Sequence, residues 1–192
     1  MLRIFDGKFA CRSVATKRSD TLQWVVCLCL FVLIPSQVSL SATGESYVAT
    51  LIDSSGQLHI TTKHKREIAP KKDTDQTGFS DAKISPDLRA VGWLALYPNC
   101  CTSYPIALKL VVLANGEQHE FAGSGLPISR WCFWGQGMQV AFEQETVHGG
   151  MGVHYELRDV TTGALVDKYD PDANPVGITK PPKWVVVLDS SA

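Results

Sequence analysis

Apolar positions in the chain fall in short runs separated by turn residues, and no stretch carries the 3.6-residue spacing of a three-turn amphipathic helix. YVATLIDSSGQLHITTK (47–63) reads as two strands around Asp53, Ser54, Ser55 and Gly56, a loop whose length and composition suit a hairpin. The polar stretch from Lys63 to Thr77, with Lys63, Lys65, Arg66, Lys71 and Lys72 followed by Asp73 and Asp75, reads as a linker or mobile loop. Val91 to Tyr97 and Ile106 to Ala114 are apolar on both faces apart from Lys109, the pattern of inner strands covered on each side. Glu117 to Phe121 and Ala164 to Tyr169 alternate polar and apolar, as outer strands do. Asn115-Gly116 and Thr162-Gly163 supply the positive φ of tight hairpins. Asp170 to Pro182, with four prolines, predicts an extended arm, and PKWVVVLD (182–189) a final strand.

One pattern occurs twice. The first copy runs through SDAKISPDLRAVGWLALYP and PIALKLVVLANGEQHEF, the second through PISRWCFWGQGMQVAFEQE and GVHYELRDVTTGALVDKY. Ile84, Val91 and Trp93 align with Phe133, Val140 and Phe142, and Leu110, Leu113 and Gly116 with Leu157, Val160 and Gly163. Four strands recurring at about 40–50 residues is the signature of propeller blades. Ile84-Ser85-Pro86-Asp87 followed by a β-run resembles the turn between the first two strands of TolB-type, WD-like propeller repeats. Leu88 stands where that repeat carries glycine, and Trp134-Gly135-Gln136-Gly137 replaces the motif in the second copy. The expected fold is all-β: an incomplete propeller-like array with full blades near 80–121 and 127–169, an N-terminal hairpin and a C-terminal strand. Such an array has too few blades to close a ring. Apolar outer faces on its end sheets would then drive self-association or be covered by the 63–77 loop and the proline-rich arm.

The hydrophobic pattern changes character at the N-terminus. A basic region precedes the eleven-residue apolar run Trp24 to Ile34, Pro35 breaks it, and SQVSLSA follows, the layout of a secretory leader cleaved after Ser41. This divides the chain into a leader (1–41) and a domain (42–192). The run is shorter than the roughly 20 residues of a membrane span, and an uncleaved anchor is the alternative. Trp24, Val25 and Val26 before Cys27 lack the small residue that precedes a lipidated cysteine. Residues 1–41 carry five Lys and Arg against two acids; the remainder carries thirteen against seventeen. A mildly acidic domain has no electrostatic footprint for nucleic acid, and the leader implies a periplasmic or extracellular destination.

Export places Cys100, Cys101 and Cys132 in an oxidising compartment. The expectation is Cys132 bonded to one of the adjacent pair, or a strained Cys100–Cys101 ring, with one cysteine left over. No C-x-x-C or H-x-x-x-H spacing supports a metal site, and no cofactor motif is present. His148 opens a glycine-rich stretch like an esterase oxyanion loop, yet no G-x-S-x-G turn accompanies it, so a hairpin loop is the better reading. Glu143 and Glu145 alternate on one strand face, as a carboxylate pair or as solubilising charges. Trp134, at a turn, is the aromatic expected to be open to a ligand. These observations favour an exported, non-enzymatic module that binds a protein or cell-envelope component through its loops. Two alternatives stand beside it: a small hydrolase or carbohydrate-active enzyme using the His148 loop or the Glu143/Glu145 pair, and a thiol redox sensor.

Overall fold

The computed structural model describes residues 44–123, 125–148, 152–173 and 180–190. The leader lies outside the described residues, as do Gly149 to Met151 of the glycine-rich loop and 174–179 of the proline-rich arm. Three antiparallel sheets follow in chain order. The first holds β1 (Tyr47–Ile52), β2 (Leu58–Thr62) and the two-residue β3 (Glu67–Ile68). The second holds β4 (Gly78–Ile84), β5 (Ala90–Tyr97), β6 (Ile106–Ala114) and β7 (Glu117–Phe121), and the third β8 (Ile128–Trp134), β9 (Gln139–Gln144), β10 (His154–Asp159) and β11 (Leu165–Tyr169). Each four-stranded sheet is a meander in sequence order and none closes on itself, so the fold is an all-β, incomplete propeller-like array.

Alternation of side chains along strands explains how the sheets stack. On β5 and β6, Val91, Trp93, Ala95, Val111 and Leu113 pack against Tyr47, Leu58 and Ile60 of the first sheet. Their neighbours Ala90, Leu94, Leu110 and Val112 turn the other way, onto Ile128, Trp131, Val140 and Phe142 of the third. Both faces of the second sheet are therefore buried, which is why its inner strands are apolar throughout. The indole of Trp131 is fully buried and lies on the backbone of Gly92, where an added Cβ would stand 2.5 Å from Cη2. Its Nε1 donates to the carbonyl of Asp81 at 3.1 Å, and Lys83 Nζ stands over the ring at 4.9 Å while donating to the Trp131 carbonyl at 2.7 Å.

The aligned repeat positions share a register in the first hairpin of each copy: Ile84 pairs with Val91 as Phe133 pairs with Val140. The second half differs. Val91 pairs with Leu113, whereas Val140 pairs with Arg158, two residues short of the aligned Val160. The final turns account for this. Asn115 and Gly116, at φ 54° and 83°, form a two-residue hairpin turn, while the second copy closes a longer loop through Asp159 N–H to the Ala164 carbonyl. The first turns also diverge, and they touch. Ser85 and Asp87 hydrogen-bond each other at 2.6 Å, Ser85 Oγ accepts the Ala90 N–H, and Asp87 Oδ1 accepts that of Arg89. Gly137, at φ 98°, approaches this turn so closely that a Cβ would fall 2.8 Å from both Ser85 Cβ and Asp87 Oδ1.

Three expectations need correction. The segment 182–189 is not a strand: Lys183–Ser190 form helix α1. Three consecutive valines favour a strand locally, and strand alternation would bury Trp184, Val186 and Leu188 together. Instead Trp184, Val185 and Leu188, which share a helical face, pack on Cys132, Ala141, Tyr155 and Leu157 of the third sheet, so tertiary burial overrides propensity. The 63–77 segment is not a loose linker. It contributes β3 and is fastened by Gln57 Nε2 to the Pro70 carbonyl at 2.9 Å and Thr77 N–H to the Leu96 carbonyl at 2.8 Å. The end faces are not bare apolar surfaces: α1 covers the third sheet, and the outer face of the first carries His59 held between Asp53 and Glu67 beside exposed Leu51.

Two substitutions test this packing. Gly92→Ala forces a methyl into the Trp131 indole and lowers unfolding free energy by about 1–3 kcal/mol; a denaturant midpoint equal to that of the unmodified protein would remove Trp131 as the link between sheets. Leu88 has φ 63° and a half-exposed side chain. Leu88→Gly relieves a left-handed backbone penalty of about 1–2 kcal/mol against about 0.4–1 kcal/mol of added unfolded-chain freedom. A rise in melting temperature is expected, and a fall would show that the Leu88 side chain contributes more than its exposure implies.

Candidate functional site

A broad hollow lies where the 63–77 segment crosses from the first sheet to the second. Tyr47, Arg66, Glu67 and Ile68 on one side and Leu113, Gly116 and Gln118 on the other line a hollow of about 450 Å³. A smaller hollow of about 180 Å³ shares Gln118 and lies between Lys71, Lys72, Asp73 and Gln76 of the strap and Trp93, Tyr97 and Glu120 of the second sheet. The two hollows adjoin at Gln118 as one cleft, and the buried Trp93 that lines the smaller one meets Phe79 of the core beneath edge-on at 6.5 Å.

Lys109, the one polar interruption of β6, anchors the strap. Its Nζ donates to Asp73 Oδ2 at 2.7 Å and Glu120 Oε2 at 2.8 Å, and lies 5.7 Å from the centre of the Tyr97 ring. The bonds to Asp73, then Glu120, hold this ammonium well above the ordinary lysine range, and Lys109 in turn holds the Asp73 carboxyl low. The Tyr97 hydroxyl donates to the same Asp73 oxygen at 3.2 Å. Beside the larger hollow, the Tyr47 hydroxyl is buried without a hydrogen-bond partner among the described residues, and burial, followed by the nearby Glu45 carboxylate, pushes its phenol up. Buried polar atoms are usually satisfied, so this hydroxyl is an exception in the core beside the hollow. Sequence reasoning passed over both residues, because Tyr47 reads as an ordinary strand aromatic and Lys109 as a lone charge.

The residues singled out from sequence lie elsewhere. Trp134 ends β8 half-buried against the cluster beneath α1 rather than exposed. His148 is exposed on the loop between β9 and β10. Glu143 is only 3 % exposed, accepts from Ser129 Oγ at 2.8 Å and is ion-paired with Arg130, which reaches Asp189 of α1 at 3.2 Å. Tyr155 completes the group by donating to Asp189 at 3.4 Å; burial, then the Glu143 and Asp189 charges, raises its phenol pKa. Glu145 falls just beyond the end of β9, its N–H bound to the Pro127 carbonyl. The glutamates thus differ: Glu143 fastens the helix to the sheet, and Glu145 is half-buried in the following loop. Cys132 is buried beneath α1, Cys100 and Cys101 are exposed, and all three are free thiols.

No family model matches the chain, and no curated protein matches it. Among solved structures, a chain of hydrazine synthase from Kuenenia stuttgartiensis is similar at 19% identity and a TM-score of 0.41, over 67% of this chain and 34% of that one. This chain therefore spans about a third of the length of the structure it matches.

The buried ion pair predicts an asymmetry between the glutamates. Glu143→Ala strands Arg130 and Ser129 and costs about 2–4 kcal/mol of unfolding free energy, while Glu145→Ala stays within about 0.5 kcal/mol. Equal, small effects in urea unfolding would contradict a fastening role for Glu143.

Proposed function

We propose that the chain is an exported, non-enzymatic binding module whose ligand surface is the cleft between the first and second sheets, roofed by the 63–77 strap. The observation that carries this reading is the Tyr47 hydroxyl, buried and unpartnered among the described residues beside a hollow of about 450 Å³. A donor left without an acceptor costs stability in the empty protein and returns it when a ligand supplies one.

Charge narrows the partner to an anionic component of the cell envelope. Lys63, Lys65 and Lys71 are exposed on the strap. In the sequence, adjacent Asp73 and Asp75 together with Pro70 favoured a solvated connection. In the fold Asp73 is engaged by Lys109 and Glu67 by His59, while Glu45 pairs with Arg66 of the cluster itself and Asp75 stays exposed. Lys71 and Lys72 line the smaller hollow and Lys63 and Lys65 are exposed elsewhere on the strap, where they attract anions at long range and in a salt-dependent way. Trp93 of the smaller hollow and the Tyr47 hydroxyl supply short-range recognition of a polar, partly apolar ligand. Glu143, the candidate for acid or base chemistry, belongs to the ion pair that holds α1, which favours binding over catalysis.

Tyr47→Phe separates binding from folding. The substitution deletes an unsatisfied buried group, so the empty domain (residues 41–192, a compact unit) should hold or gain up to about 1 kcal/mol, while affinity for its ligand falls several-fold. Titration with anionic envelope glycans and acidic peptides, followed by amide NMR shifts, reads the second effect. Shifts confined to residues away from the cleft, or identical affinities for Tyr47→Phe and the unmodified domain, would overturn the assignment.

A further inference from the structure

Away from the cleft, the loop joining β5 to β6 sets two thiols side by side. Cys100 Sγ and Cys101 Sγ are 2.6 Å apart, and both residues are exposed. Polar bonds shape the turn around them: Asn99 Oδ1 accepts the Cys101 N–H at 3.3 Å, Asn99 Nδ2 donates to Thr102 Oγ1 at 3.1 Å, and that hydroxyl donates to the Tyr104 carbonyl at 2.6 Å. Cys132 is excluded from such chemistry by position, since it is buried in the cluster beneath α1. The odd cysteine count thus resolves into an accessible pair and a buried spectator.

We propose that Cys100 and Cys101 form a redox-active vicinal dithiol that exchanges with disulfides of small thiols or of thiol–disulfide oxidoreductases. In the forward direction the Cys100 thiolate attacks one sulfur of RS–SR, forming a Cys100–S–SR bond and expelling RS⁻, which takes up a proton. The Cys101 thiol then loses its proton, its sulfur attacks Cys100 Sγ, the Cys100–SR bond breaks, and the second thiolate leaves. The pair loses two electrons and two protons in forming an intramolecular disulfide, and RS–SR gains them as two RSH. The contact between the sulfurs is symmetric, since either can act as donor, so the same exchange also runs with Cys101 attacking first.

This assignment is independent of the cleft, and its test reads covalent chemistry rather than ligand affinity. Residues 41–192 are incubated with oxidised glutathione, denatured and alkylated. The expected product has one alkylatable thiol, at Cys132, a mass lower by two hydrogens and no retained glutathione; dithiothreitol restores all three thiols. Cys101→Ser should trap glutathione on Cys100, and Cys132→Ser should oxidise as the unmodified domain does. Folding of each variant is checked by its melting temperature, which the exposed Cys101→Ser leaves unchanged and the buried Cys132→Ser lowers without abolishing a cooperative transition. Stable glutathione adducts on both cysteines of the unmodified domain, disulfide-linked dimers, or loss of the Cys132 thiol would each overturn the proposal.

Discussion

The seating of Trp131 on Gly92 is the constraint on which the rest of the stack depends. A buried indole needs a large flat receptor and a partner for its N–H. Gly92 provides the first by having no side chain, and the Asp81 carbonyl provides the second. Lys83 then closes over the ring and binds the Trp131 carbonyl, so that one residue of the third sheet is held by three of the second. With that spacing set, Val140 and Phe142 meet Leu110 and Val112 in a common core. The first turns of the two copies meet as well, Gly137 against Ser85 and Asp87.

An open stack of sheets must finish both ends, and the two ends are finished differently. At the third sheet an eight-residue helix supplies the missing apolar layer. It is fixed in place by Trp184 Nε1 donating to Asp167 at 3.0 Å and by Arg130, which joins Asp189 of the helix to the buried Glu143. At the first sheet the outer face is made partly polar by His59, whose imidazole is held by Asp53 and then Glu67, both of which raise its pKa. A strand edge or face that carries charge resists indiscriminate pairing. Beside it, the strap brings Lys71 and Lys72 next to Trp93 and Tyr97 in the smaller hollow.

The strap shows how charge bookkeeping changes between sequence and fold. Along the chain, five basic residues of the strap stand beside Glu67, Asp73 and Asp75. In space Lys109, many residues away, takes Asp73, His59 takes Glu67, and Arg66 of the strap takes Glu45. The cysteines follow a similar logic, since burial alone separates Cys132 from the exposed pair.

Strand periodicity and turn residues determined much of this protein. Apolar runs on β5 and β6 announced strands covered on both faces, and the repeat of Ile84 and Val91 in Phe133 and Val140 announced two sheets of the same build, because side-chain alternation is a local property of the backbone. Tertiary structure decided what depends on partners distant in sequence. Helix α1 forms against a strand-favouring valine run because the third sheet offers a face that only a helix can fill with Trp184, Val185 and Leu188. Trp134 is drawn into that same cluster instead of facing solvent, and Glu143 becomes an anchor because Arg130 lies opposite it across the ladder. The cleft was illegible for the same reason: Tyr47, Lys109 and Asp73 acquire their roles only when the strap brings separate segments together. Burial and pairing energies belong to neighbours in space, and the sequence orders those neighbours only along the chain.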